Sequence, residues 1–336
     1  MVLICVLIRV SFMAMADAIR SFPEQFGYDP EIQNKKKLAS ASRFLVCGMG
    51  GSHLGADLVK LAIPAADITV HMDYGLPVLT DTAKAGLLVI ASSYSGNTEE
   101  TFSSYEQARD HGLPLAAIAV GGRLLEMAKA DGVPYVQLPD TGIQPRSALG
   151  FSMRALLALM GEKKLLSELE VSAQTLDAAK LEADGKALAE ALANRIPVIY
   201  ASERNRAIAY NWKIKFNETG KIPAFMNVIP ELNHNEMTGF DVKESVRHLS
   251  DKFHFLFLSD QGEDTRVIKR MKIIAKLYRD RGLPVTTMEF TQQDRLRGVL
   301  ASLILADWTA VALAEYYGLE SEQVPMVEEF KKLIAE

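Results

Sequence analysis

The sequence predicts an α/β protein of two consecutive units, each a parallel β-sheet sandwiched between helices, with a helical connector between them and a last helix at the C-terminus. Three observations carry this. Short β-type runs alternate with amphipathic helical stretches from Arg43 to about Met160. Residues 161–194 then shift to a composition rich in Ala, Leu, Glu and Lys, all good helix formers. Beyond that segment the alternation restarts at Val198. The expected division is 1–14, 15–160, 161–194, 195–319 and 320–336.

The first residues stand apart from the fold. Val2 to Val10 is almost wholly apolar, and Ala14-Met15-Ala16 is similar to a signal-peptidase site. No basic residue precedes the apolar run, Arg9 interrupts it, and it is too short to span a membrane. Met13 and Met15 stand just before Asp17-Ala18-Ile19-Arg20, which reads as the true start, so residues 1–14 are expected to be an extension outside the fold.

In the first unit, Phe44–Cys47, Ile68–His71, Leu87–Ile90 and Leu115–Ile118 read as strands buried on both faces, as parallel strands under two helical layers are. Thr98 to Asp110, Gly122 to Ala130 and Ala148 to Met160 read as helices. The connector lacks Gly/Ser- or Pro-rich sequence, so it is expected to be helical and not a flexible linker. In the second unit, Val198–Ala201, Phe253–Leu258 and Val285–Met288 read as strands, with helices over Arg204–Asn217, Asp264–Arg279 and Asp294–Tyr317. Gln323 to Ala335 reads as the last helix.

Composition excludes several functions. At 336 residues the chain is long enough for two domains, each with its own core. A net charge of −5 gives no electrostatic reason to expect nucleic acid or an anionic membrane as partner. Two cysteines, Cys5 and Cys47, make neither a disulfide framework nor a zinc site, and the six histidines form no metal-binding motif. No metal or other cofactor is expected, and the compartment is expected to be reducing.

Chemistry concentrates in a few segments. Gly86-Leu87-Leu88-Val89-Ile90-Ala91 empties into Ser92-Ser93-Tyr94-Ser95-Gly96-Asn97-Thr98, ahead of a helix. Short hydroxyl donors beside the orphan N–H groups of a helix start suit a phosphate dianion. The loop has no lysine, so it is not a nucleotide P-loop; the plain alternative is a strand-to-helix turn capped by Thr98. Gly48-Met49-Gly50-Gly51-Ser52 follows the first strand. Its spacing fails the dinucleotide fingerprint, whose third glycine falls on His53. Both loops sit at carboxyl ends of strands, where open α/β sheets bind ligands, and they suit a sugar phosphate.

Arg146 precedes a helical run and is placed to neutralise an oxyanion; taken alone, it reads more readily as a solvated side chain at a domain edge. Glu218 stands at the end of a helical stretch, and Glu231-Leu232-Asn233-His234-Asn235-Glu236 packs carboxamides and an imidazole between carboxylates. A carboxylate and an imidazole from separate segments suit proton abstraction beside a carbonyl combined with ring opening of a sugar. The plain alternative for the second segment is a turn before a helix, with Glu236 in its first turn.

Gly50-Gly51-Ser52, Ser93-Tyr94-Ser95-Gly96-Asn97-Thr98, Asn217-Glu218 and Glu231-Leu232-Asn233-His234-Asn235-Glu236 together resemble the bifunctional phosphoglucose/phosphomannose isomerases, from about Phe22 to the C-terminus. The Asn-His-Asn-Glu run is the most selective element; the serine loop alone marks only the wider superfamily of sugar-phosphate-binding domains. The resemblance implies two flavodoxin-like sugar-isomerase (SIS) domains. It implies that Gly51, Ser52, Ser93, Ser95 and Thr98 hold the phosphate of a hexose, and that Arg146 stabilises an enediolate. Glu218 would move the proton between carbons 1 and 2, and His234 would open the ring from a neighbouring subunit. A lysine of the last helix also takes part, Lys331 here, with Lys332 as the alternative. A cytoplasmic homodimer in central carbohydrate metabolism, acting without a cofactor, follows from the same resemblance. A non-catalytic sugar-phosphate sensor and an isomerase of another phosphosugar remain the alternatives.

Overall fold

A computed structural model describes residues 15–290 and 295–334. The expectations for residues 1–14 lie outside the described residues. The chain divides into two compact units, one of Ser21–Leu176 and one of Asp177–Glu336 joined by the segment through Arg20. The helical stretch read as a single connector is divided between them, with one of its helices in each unit.

The N-terminal unit holds strands β1 (Ile32–Gln33), β2 (Arg43–Cys47), β3 (Asp67–His71), β4 (Leu87–Ser92), β5 (Leu115–Ala119) and β6 (Tyr135–Gln137). Its sheet order is β1-β6-β5-β4-β2-β3, parallel except for the short β1. Helices α1 (Gly51–Ala62), α2 (Glu99–Asp110), α3 (Gly122–Ala130), α4 (Leu149–Met160) and α5 (Lys163–Gln174) belong to it. All residues of β4 and β5 are buried, which is why these central strands read as unbroken apolar runs. β3 departs from that expectation: Asp67 and Thr69 are exposed while Ile68 is buried, because β3 is an edge strand. From β2 the chain passes to β3 on one side and then to β4 on the other. The strand order therefore reverses between β2 and β4, the flavodoxin-like switch point, and a crevice opens beyond their carboxyl ends.

The C-terminal unit holds β7 (Ile196–Ser202), β8 (Phe225–Ile229), β9 (Phe253–Asp260) and β10 (Val285–Phe290) in the order β10-β9-β7-β8, all parallel. Its helices are α6 (Leu181–Leu192), α7 (Arg206–Glu218), α8 (Thr265–Asp280), α9 (Arg295–Tyr316) and α10 (Pro325–Ile334). By length and composition α9 is apolar enough to cross a membrane, but 67% of its most apolar window is buried inside the protein. It is the central helix of this unit, packed on α6 and α7. The Trp212 indole donates to Ser302 Oγ at 2.9 Å, and Lys215 Nζ meets Asp307 Oδ2 at 2.6 Å with both side chains buried. Such a pair is retained only when each charge satisfies the other, so it pins α7 to α9 in one register.

Candidate active site

At the N-terminal switch point the loops after β2 and β4 interlock. Ser52, on the first turn of α1, accepts the Tyr94 N–H on its hydroxyl at 2.8 Å, and its carbonyl accepts from Ser92 Oγ at 3.0 Å. Ser93 and Thr98 share a hydroxyl hydrogen bond of 2.8 Å; the Gly96 N–H donates to Ser93 Oγ at 3.1 Å, and the Asn97 N–H to Ser95 Oγ at 3.2 Å. Thr98 stands at the N-cap position of α2 but its side chain makes no capping bond, so the plain reading of this loop as a capped turn does not describe it. Ser93 is fully buried while Ser95 is exposed, which gives the loop an inner and an outer hydroxyl.

Two glycines set the shape. Gly96 has φ +70°, and a Cβ there would stand 1.8 Å from the Gly121 carbonyl oxygen, so only glycine lets the serine loop lie against the start of α3. Gly51 packs against the segment before α4: a Cβ on it would lie 2.7 Å from the Pro145 carbonyl carbon and 2.8 Å from the Arg146 nitrogen. That contact brings Arg146 to the Gly50-Gly51-Ser52 turn. Arg146 is 2% exposed, with its guanidinium 3.5 Å from Gln144 Oε1, so it is not the solvated side chain its sequence position suggests in isolation. Gly51, Ser52, Ser93, Ser95, Thr98 and Arg146 thus gather in one unit, with N–H-bearing helix starts beside them, an arrangement that can receive an anion.

The C-terminal unit carries the other candidates. Glu218 is the half-buried last residue of α7. Lys221 Nζ donates to the Glu218 carbonyl oxygen at 2.6 Å and also to the Gln323 carbonyl, which ties the end of α7 to the chain just ahead of α10. His234 is exposed, at the end of a short turn over Glu231–His234 that follows β8. α7 runs back along the sheet from the end of β7 to the beginning of β8, so Glu218 lies toward the edge where β8 starts and His234 toward the edge where it ends. β8 has five residues, about 15 Å of rise. One chain therefore does not bring Glu218 and His234 together. Lys331 is on α10, 61% exposed and paired with Glu328 at 2.8 Å; Lys332 follows it and is also exposed.

Two features escaped the sequence reading. The Lys215–Asp307 pair joins residues 92 positions apart, and nothing local marks either as buried. Glu236, given no role of its own in the sequence reading, is held by Tyr200 on β7 and Asn227 on β8. Its first-turn position does fit the alternative drawn from the sequence, since a short helical turn runs over Glu236–Phe240 with Asn235 capping it.

The fold is that of the sugar-isomerase-domain proteins: residues 181–334 match the family described as the bacterial phospho-glucose isomerase C-terminal SIS domain. A hypothetical protein from Thermus thermophilus has the same fold, with a TM-score of 0.69 at 15% identity, covering 97% of this chain and 90% of that one. The bifunctional phosphoglucose/phosphomannose isomerase of Aquifex aeolicus is 33% identical over 94% of this chain and 96% of its own length. The protein of that name from Caldicellulosiruptor bescii is 32% identical over 96% and 99%. The chain belongs to the bifunctional phosphoglucose/phosphomannose isomerase family, and it is an isomerase.

Proposed function

We propose that the protein is an aldose–ketose isomerase that interconverts glucose 6-phosphate with fructose 6-phosphate, and mannose 6-phosphate with fructose 6-phosphate. The observation that carries this is the gathering of Ser52, Ser93, Ser95 and Thr98 with Arg146 at the β2–β4 switch point. In this reading the hydroxyls and adjoining N–H groups hold the phosphate. Binding energy spent far from the reacting carbons then orients the open chain. His234 passes a proton between the ring oxygen and the anomeric hydroxyl. Glu218 takes the proton from carbon 2 and returns it at carbon 1, through a cis-enediol. Arg146 meets the negative charge of the enediolate with a fixed positive one. Lys331, with Lys332 as the alternative, is assigned to the substrate.

The opposite-edge placement of Glu218 and His234 supports a site completed by His234 of a second copy, and hence a homodimer. We place it in the cytoplasm, in the exchange of hexose 6-phosphates that serves both sugar breakdown and sugar synthesis. The test is direct. Purified protein treated with EDTA should convert glucose 6-phosphate and mannose 6-phosphate to fructose 6-phosphate. No conversion of glucose 6-phosphate would refute the proposal, and no conversion of mannose 6-phosphate would refute its second half. Within this reading, Gly96→Ala should lower kcat/KM by about a hundredfold, since a methyl at that point displaces the serine loop from the start of α3. Steady-state kinetics on a variant with the parent's near-UV circular dichroism check this.

A further inference from the structure

Glu236 lies two residues beyond His234, and both of its carboxylate oxygens are occupied from the sheet side. The Tyr200 hydroxyl donates to Oε1, and the Asn227 amide donates to Oε2. Tyr200 and Asn227 are register partners on β7 and β8, so adjacent strands supply one donor each to a single carboxylate. Tyr200 is fully buried among Phe255, Phe257 and Tyr278, and its hydroxyl lies 3.4 Å from that of Tyr278. Burial, the neighbouring Tyr278 and Glu236 itself push the Tyr200 hydroxyl upward, so it remains a donor at any working pH.

The segment is fixed on both sides of the imidazole. Asn235 Oδ1 accepts the Glu236 N–H at 2.6 Å, and the Asn235 amide donates to Glu231 Oε1 at 2.7 Å. Leu232, Met237 and Phe240 anchor the same stretch in the aromatic core. A carboxylate beside that core contributes little to stability that a well-packed apolar side chain would not contribute as well. Its evident work is to fix where the stretch lies. We infer that Glu236, clamped by Tyr200 and Asn227, is the positioning residue that holds His234 where it meets the sugar ring. This rests on the proposed role of His234 in ring opening.

The test is the deuterium isotope effect on turnover of glucose 6-phosphate deuterated at carbon 2, read in Glu236→Gln and Tyr200→Phe. His234→Ala and Glu218→Asp serve as references. Gln presents an N–H donor where Glu236 presents its second acceptor oxygen, and Tyr200→Phe removes one donor while keeping the ring, so it serves if Glu236→Gln fails to fold. A displaced imidazole slows ring opening, so the rate should fall by about tenfold or more. The isotope effect should then fall to that of His234→Ala, because the carbon–deuterium bond no longer breaks in the slow step. The inference is overturned if the isotope effect follows Glu218→Asp instead, or if both variants stay within about twofold of the parent rate. If His234→Ala and Glu218→Asp themselves give the same isotope effect, the ring-opening role of His234 fails, and the inference with it.

Discussion

Replacing Glu218 with glutamine is expected to lower kcat on glucose 6-phosphate by about three powers of ten, the middle of the range for a lost general base. The amide keeps the size and hydrogen-bonding reach of the carboxyl but cannot accept a proton from carbon. Little else should change. Glu218 is at the helix end, where Lys221 holds its carbonyl, and one turn earlier Lys215 is locked to Asp307. The variant should therefore keep the parent fold and bind hexose phosphate with nearly the parent KM. Exchange of the carbon-2 proton with solvent gives the second readout, and it should be lost together with turnover. Exchange at the parent rate in a variant that no longer forms fructose 6-phosphate would contradict the assignment.

The next largest effect is expected at Arg146. Its removal as Arg146→Ala should reduce kcat by about a hundredfold to a thousandfold, because in the proposed mechanism the charge it meets develops only as the enediolate forms. Arg146→Lys should recover only part of this, since a flexible ammonium does not reproduce a planar guanidinium held in a buried setting. KM should change far less than kcat, as expected for a group that acts mainly in the transition state. A rise in KM with kcat unchanged would recast Arg146 as a ground-state phosphate contact.

Much of the N-terminal candidate site was readable in the sequence, because the residues that make it up are local. Ser93, Ser95, Gly96 and Thr98 are consecutive or nearly so, and the apolar run before them marks the strand that delivers them. What the sequence could not display was the closure of that loop on distant backbone. Gly96 against Gly121, and Gly51 against Pro145 and Arg146, are contacts between segments that carry no mark of one another. The burial of Arg146 depends on such a contact, which is why its sequence neighbourhood alone favoured a solvated side chain.

The C-terminal unit was read less completely. β8 went unseen because Phe225-Met226-Asn227-Val228-Ile229 shows neither clean alternation nor an unbroken apolar run: Phe225 is exposed, and Asn227 is partly buried because it donates to Glu236. Without β8, nothing in the sequence shows how far apart the segments of Glu218 and His234 lie in the fold. With it, they are separated by the length of a strand. Two-residue β1 and three-residue β6 were likewise too short to register as a pattern. The alternation of strands and helices was enough for the fold class, because buried parallel strands advertise themselves by composition.

The proposed mechanism has two groups reach one sugar from two copies of the chain, and a mixing experiment tests that most directly. Glu218→Gln and His234→Ala, each with only a small residual activity alone, are combined in equal amounts, dissociated and allowed to reassociate. In a two-fold dimer with shared sites, half of the dimers are mixed and each of those has one intact site. Activity should therefore return to about one quarter of the parent. No recovery, with mixed dimers demonstrably present, would show that each chain builds its site from its own residues and would contradict the shared-site account.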